Sequence, residues 1–170
     1  MADAGSPLER ARALALRVLA FHARSEAQLR ARLARAGLSG SADEVVAWLG
    51  RLGYLDDAAF ARARARSLVG TGRLGPRMAE RRLCAAGIPS EAARAAVAAA
   101  VEERAAQTGP GGEPAEVVLC RAAAERRLRD AGLAELDARA RARLARYLLG
   151  RGFSAAAVQR VLGLRDDVEV

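Results

Sequence analysis

The sequence predicts an all-α protein built from three tandem three-helix repeats that form an elongated, curved array. Hydrophobic residues make up 52% of the 170 positions and aromatic residues only 4%, and Ala, Leu, Arg and Glu, which recur throughout, favour helices. Alternating β-branched runs are absent. One pattern (an apolar residue, three others, Gly, a large apolar residue) occurs at 33–38, 83–88 and 148–153. Such self-similarity at wide spacing is typical of stacked helical modules.

The glycine in each copy of this pattern predicts a helix end. Gly37, Gly87 and Gly152 stand where a helix commonly closes with one residue in the left-handed conformation. The next residue, Phe153 in the third copy, supplies the apolar contact that accompanies such an end. We therefore expect three equivalent corners.

The first repeat is predicted over 7–54. Its three helices each have a start signal, namely Pro7 after the cap Ser6, the capping box of Ser25 and Gln28, and Ser41. The third helix has the clearest apolar periodicity, at Val45, Trp48, Leu49 and Leu52.

The second repeat is predicted over 55–107. Asp56 is the expected N-cap of its first helix, and Asp57 in the first turn suits the helix dipole. Leu55 and Phe60 then occupy the positions of a hydrophobic staple. Later helices begin near Pro76 and Pro89.

The third repeat is predicted over 113–164, after a Gly/Pro-rich linker at 108–114. Its first helix is predicted to run through Ala131 to Gly132, and its second to include Leu136. Residues 1–6 and 165–170 are predicted to be frayed tails.

The charge points to an acidic partner. All 28 basic residues are Arg, the net charge is +8 and the isoelectric point is about 11.1, which favours a polyanion or an acidic protein surface. Two clusters concentrate this charge, within 62–82 and 139–151. The candidate partner-binding residues are Arg62, Arg66, Arg73, Arg77 and Arg81, then Arg139, Arg143 and Arg146. For any single Arg, a solvated helix face is the competing interpretation.

The aromatic residues argue against base stacking. Single-strand binding usually adds exposed aromatic rings to basic side chains. Here all of them are predicted in the core or in the staple: Phe21, Trp48, Tyr54, Phe60, Tyr147 and Phe153.

Catalytic and metal-binding patterns are weak. The single His, His22, is predicted to be packed or capping, and Cys84 and Cys120 are predicted to be reduced, buried thiols. Capping explains Asp56 and Asp57 better than a metal site does. We expect no enzyme activity, no cofactor and no metal. Apolar runs fall short of the ~18 residues of a membrane span, and no signal-peptide pattern is present, so a cytoplasmic protein is expected.

One stretch carries a family resemblance. The residues at 52–61 are LGYLDDAAFA, preceded by the helix from Ser25 to Gly37 and followed by the segment from Gly72 to Ile88. Together with the closing segment from Leu148 to Leu162, this arrangement resembles the RecX family of recombination regulators. The resemblance covers about 11–163. The absence of Lys and the linker at 108–114 depart from the family pattern, and the linker leaves open how rigidly the third unit is held.

The resemblance implies a non-enzymatic protein of three tandem three-helix repeats. Its implied partner is the RecA recombinase filament, with the single-stranded DNA inside it, and the implied effect is restraint of strand exchange, ATPase and coprotease activities. Basic self-repulsion favours a monomer. A stand-alone helical nucleic-acid-binding module is the main alternative, followed by a scaffold for an unrelated acidic partner.

Overall fold

The fold is all-α, as predicted. A computed structural model describes residues 5–108, 112–128 and 132–163, and this part of the chain contains nine α-helices and no strand. The helices are α1 (Pro7–Phe21), α2 (Glu26–Arg35), α3 (Ala42–Arg51), α4 (Asp57–Gly70), α5 (Pro76–Ala85), α6 (Ser90–Ala106), α7 (Ala115–Leu128), α8 (Ala138–Gly150) and α9 (Ala155–Leu162). Short 3₁₀ turns precede α3 and α8. We call α1–α3, α4–α6 and α7–α9 the first, second and third units.

The predicted helix starts are confirmed in the first two units. Ser6 and Ser25 each form a full capping box, with Glu9 and Gln28 respectively. Asp56 Oδ1 accepts a hydrogen bond from the backbone N–H of Ala59 at 2.8 Å. These caps satisfy backbone donors that a helix leaves free in its first turn.

The three predicted corners share one backbone geometry. Gly37, Gly87 and Gly152 have φ values of 72°, 89° and 93°. In each corner the residue after the glycine donates its N–H back to the carbonyl of the completely buried Leu that begins the pattern, at 2.9, 3.1 and 3.3 Å. This bond defines a Schellman motif, which only a residue tolerant of positive φ can close without strain.

The buried side chains form two separate cores. The first belongs to the first unit and includes Leu29, Leu33, Val45, Leu49 and Leu55. The second is continuous through the second and third units. Leu55 lies in the first core, while Phe60 packs against the second, and a staple contact between them stays a prediction.

The third unit is joined to the second through backbone bonds as well as through the shared core. Gly75 N–H donates to Arg151 O at 2.8 Å, and Arg77 N–H donates to Gly152 O at 3.1 Å. Arg126 Nη1 adds a bond to Thr71 O at 2.6 Å. These bonds, with the continuous core, attach the third unit to the second despite the linker between α6 and α7.

The first unit meets the second through a smaller set of polar and close contacts. Ser25, which is completely buried, donates its hydroxyl to Ala86 O. Asp57 Oδ1 accepts from Glu26 N–H at 2.8 Å, so this aspartate begins α4 and also caps α2. The first unit therefore keeps a core of its own and joins the second through these contacts, whereas the second and third units share one core.

Several burial predictions were wrong. Phe21 is 75% exposed and Tyr54 is 60% exposed, and Leu52 also faces solvent. Gly53, with φ of 74°, makes a further corner that turns the chain away after Leu49, which leaves Leu52 and Tyr54 outside the core. Phe21 is the last residue of α1, beyond the turns that pack on α2 and α3.

The predicted burial of Cys84 was also wrong, and of the two alternatives for His22 the packed one is wrong. Both residues are exposed, because each lies at a helix end that borders the space between the first and second units. His22 is the C-cap residue of α1, where its backbone N–H donates to Val18 O. Cys120 is buried and Cys84 and Cys120 are both free thiols.

The start of α8 differs from the prediction. Leu136 lies before the helix, because Asp137 is its N-cap and accepts from Ala140 N–H at 2.6 Å. Gly132 opens a 3₁₀ turn, and the predicted helix end at Ala131 lies outside the described residues, as do most of the predicted tails.

Candidate interaction surface

The second helices of the three units meet end to end. The N-terminus of α5 contacts the corner after α8 through Gly75 and Arg77, and the N-terminus of α2 contacts the corner after α5 through Ser25. At the first contact, backbone N–H groups at the start of α5 donate to carbonyls after α8; at the second, the Ser25 hydroxyl donates to a carbonyl after α5. Both place the start of one helix against the end of another, an arrangement that helix dipoles favour. A Cβ placed on Gly37 would meet no atom of a residue that the structure describes within 4 Å, so in this part of the chain the corner is the open end of the series.

These second helices are rich in Arg. The candidates Arg77 and Arg81 are exposed on α5, and Arg139, Arg143 and Arg146 are exposed on α8. Because the start of α5 abuts the end of α8, the two clusters lie on helices that are in direct contact. Arg146 also lines, with Arg141, a groove of about 540 Å³ along α8.

The remaining candidates lie on and after α4. Arg62 and Arg66 are exposed one turn apart, and Arg66 lines a groove of about 190 Å³ whose other wall is α6, with Glu103 and Arg104. Arg73 is exposed in the loop between α4 and α5. A single stripe running from α4 onto α5 stays a prediction, because the groove beside Arg66 contains no residue of α5.

The structure adds a basic cleft that sequence patterns missed. It has a volume of about 770 Å³ and lies between the end of α1, the outer face of α2 and the corner after α5. We call it the inter-unit cleft, and its polar and aromatic lining consists of Phe21, His22, Arg24, Gln28, Arg32, Arg35 and Cys84. A smaller cleft of about 390 Å³ shares His22, Arg24 and Gln28 with it and adds Phe60, Arg64 and Ser67.

No signal in the sequence locates this cleft. Arg32 and Arg35 follow the ordinary pattern of a solvated helix face, and Cys84 belongs to a different repeat, about fifty residues away along the chain. The exposed ring of Phe21 lies at this cleft, and the helical periodicity of α1 predicted that ring to be buried.

Among the described residues, no group of three or more His, Cys, Asp or Glu side chains is arranged to hold a metal ion. Within the same residues, every helix is too short or too polar to cross a bilayer. One thiol is strongly perturbed: burial, with a smaller effect of Glu116, raises the pKa of Cys120 from 9.0 to about 12, although Arg121 opposes the rise.

The helices and their surface define a tandem three-helix-repeat protein with an Arg-rich exterior. Family models for the first, second and third three-helix domains of RecX match residues 11–49, 56–97 and 115–162, in the order of the three units. The chain belongs to the RecX family.

Known proteins agree with this assignment. The chain is 43% identical over 83 residues to proteins named Regulatory protein RecX from two strains of Thermus thermophilus, over 46% of this chain and 54% of each relative. It thus matches about half the length of those curated relatives. The crystal structure of RecX from Lactobacillus salivarius superposes with a TM-score of 0.69 at 19% identity, covering 94% of this chain and 98% of that one. A second crystal structure, of regulatory protein RecX, gives 0.68 at 18% identity, covering 94% and 72%.

Proposed function

We propose that this chain binds the filament that RecA forms on single-stranded DNA and inhibits its strand-exchange, ATPase and coprotease activities. The observation that carries the proposal is the match of the three RecX domains to the three units in order. Family membership implies regulation of RecA, and it accords with the relatives' name, regulatory protein. The proposed setting is the cytoplasm, in recombination, DNA repair and the SOS response.

The Arg-rich second helices supply the proposed contact surface. At about 1.5 Å per residue, helices of 10 and 13 residues such as α5 and α8 measure about 15 and 20 Å. Two such helices in contact present their exposed arginines over a distance comparable with a small protein domain. We infer that this surface bridges neighbouring protomers of the filament, either by blocking entry of homologous DNA or by favouring disassembly. Because the contacts are charged and exposed, the inhibition should weaken as salt rises.

The test is DNA-stimulated ATP hydrolysis by the cognate RecA, with and without substoichiometric amounts of this chain. The unmodified chain should slow hydrolysis, and the triple variants R73E/R77E/R81E and R139E/R143E/R146E should each relieve the inhibition. The matched control is R10E/R94E/R160E, which reverses one exposed Arg in each unit and changes the net charge equally. Circular dichroism checks that each variant remains helical.

The outcomes separate function from site. If the unmodified chain leaves ATP hydrolysis unchanged, the proposed function is wrong. If it inhibits but neither cluster variant differs from the control, the assignment of Arg73, Arg77, Arg81 and the α8 arginines is wrong while the function stands.

The alternative is a stand-alone nucleic-acid-binding module. Tight binding of naked single-stranded DNA at physiological salt, with no effect on the recombinase, would favour that alternative. The observation that supports this alternative is the exposed ring of Phe21, which lines the same cleft as Arg24.

A further inference from the structure

The inter-unit cleft combines unpaired positive charge with an absence of carboxylates in its wall. Arg24, Arg32 and Arg35 line it, and none of the Asp and Glu residues that the structure describes does. The ion pairs found in the described part of the chain involve Arg12, Arg30 and Arg121, none of which lines the cleft. The cleft therefore concentrates positive charge that no acidic side chain of its own wall neutralises.

Arg24 is the central residue of this surface. It lines both the inter-unit cleft and the smaller cleft beside α4, which adds Arg64. Arg24 is half-buried, and its Nε atom is closed to solvent without a hydrogen-bond partner among the described residues. An added acceptor such as a phosphate oxygen would therefore be held by the remaining N–H groups of this guanidinium, which borders both clefts.

Phe21 gives the cleft an apolar platform. Its ring is 75% exposed at the end of α1, although it lies beside a wall that also contains Val18 and Ala31. Flat aromatic rings and guanidinium groups both stack on nucleobases. An acidic peptide, in contrast, would pair its carboxylates with the arginines and leave the Phe21 ring exposed to water. The combination favours a ligand that carries phosphates and planar bases together.

We propose that the inter-unit cleft binds single-stranded DNA directly, with a base stacked on Phe21 and the flanking phosphates held by Arg24, Arg32 and Arg35. The site continues past Arg24 toward Arg64, so its charge extends over two adjoining clefts of about 770 and 390 Å³. This continuity favours a strand over a single free nucleotide. The inference goes beyond the proposed function, because this contact needs no recombinase.

The first experiment measures fluorescence anisotropy of a labelled oligo(dT) strand titrated with the full chain, in the absence of RecA. F21A should weaken binding by about fivefold or more, as expected for the loss of one stacked base. Y54A is the matched control, since Tyr54 is also exposed but does not line either cleft, and it should bind as the unmodified chain does.

An abasic strand of equal length provides the matched ligand. It retains the phosphates but has no bases, so F21A should bind it as tightly as the unmodified chain. If F21A and the unmodified chain bind oligo(dT) equally, or if Y54A weakens binding as much as F21A, the stacking site is wrong.

The second experiment tests the arginines. R32A/R35A/R64A should lower the affinity and flatten the dependence of log K on log salt, because each lost phosphate contact removes about one released counterion. The control R10A/R94A/R160A removes equal charge away from both clefts and should have the smaller effect. Equal effects of the two triples would mean that net charge alone binds DNA, and would overturn the site.

Competitors identify other occupants. If ATP binds in a way that depends on Phe21 while oligo(dT) does not bind, the ligand is a free nucleotide and not a strand. Polyglutamate that displaces oligo(dT) and binds F21A normally would indicate an acidic peptide site. Either result overturns the proposal, and neither bears on whether the chain inhibits RecA.

Discussion

The α-carbon of Gly152 lies directly against the backbone of Met78, so that a Cβ on Gly152 would come within 2.5 Å of the Met78 nitrogen. Gly87 is similarly close to Ala27, one unit earlier in the chain, where a Cβ on the glycine would collide with the Ala27 methyl group. Each corner of the second and third units therefore presses on the start of the second helix in the preceding unit. The corner glycines close a helix and also permit the units to approach.

Alanine at the three corners should separate these two roles. G37A should cost about 1 kcal/mol, since it adds only the strain of positive φ. G87A and G152A add a steric conflict with the neighbouring unit and should cost about 1–3 kcal/mol more. Urea unfolding monitored by circular dichroism measures the difference. Equal losses for all three variants would mean that the close approach contributes nothing to stability.

Truncating equivalent core leucines should reveal two cooperative parts. Leu33 and Leu148 occupy the same position in their corners and are both completely buried, but in different cores. L33A and L148A should each cost about 2–5 kcal/mol locally. Hydrogen exchange by mass spectrometry should then accelerate across α1–α3 alone in L33A, and across α4–α9 in L148A. Uniform acceleration of all nine helices in both variants would contradict the two-core description.

Glu116 should be worth more to stability than a nearby surface carboxylate. Its side chain accepts hydrogen bonds from the backbone N–H of Ser154 at 2.6 Å and from the Ser154 hydroxyl at 2.8 Å, which ties α7 to the start of α9. E116A should cost about 1–3 kcal/mol, because it leaves partly buried donors unpaired. The control E113A removes only a solvent-accessible ion pair with Arg121 and should cost less than about 1 kcal/mol. Denaturant unfolding at neutral pH compares the two, and a smaller loss for E116A than for E113A would refute this ranking.

The buried thiol of Cys120 should make stability fall at alkaline pH. Burial raises the pKa of Cys120 to about 12 in the folded chain, so above pH 9 the unfolded state releases this proton and the folded state keeps it. Its contribution is fully present below pH 9 and is lost as pH rises toward 12, at up to about 1.4 kcal/mol per pH unit. Urea unfolding at several pH values between 8 and 11 should show a shallower decline for C120A. C84A, which removes the exposed thiol, should keep the original slope, and identical slopes for C84A and C120A would reject the mechanism.

Local sequence signals predicted most of the helix ends. The structure has the helix caps at Ser6 and Ser25, the N-cap at Asp56 and the positive φ of the three corner glycines, as predicted. Such features depend on contacts within four or five residues, so a linear pattern is sufficient to specify them.

Burial at helix ends was predicted poorly. Phe21 and Tyr54 were predicted in the core, yet both are exposed, since Phe21 is the last residue of α1 and Tyr54 follows the corner that Gly53 makes after α3. The candidate arginines are exposed, but their grouping depends on which helices touch, and the contact between α5 and the corner after α8 joins residues about 75 positions apart.

The sequence alone determined the helical class, the threefold repeat and the corners, because backbone hydrogen bonding and apolar periodicity are local properties of the chain. The tertiary structure alone decided how the units divide. It joined the second and third units through one core and left the first unit with its own. It also formed a basic cleft between the first and second units. These outcomes depend on packing between residues that are distant along the chain, which no local pattern encodes.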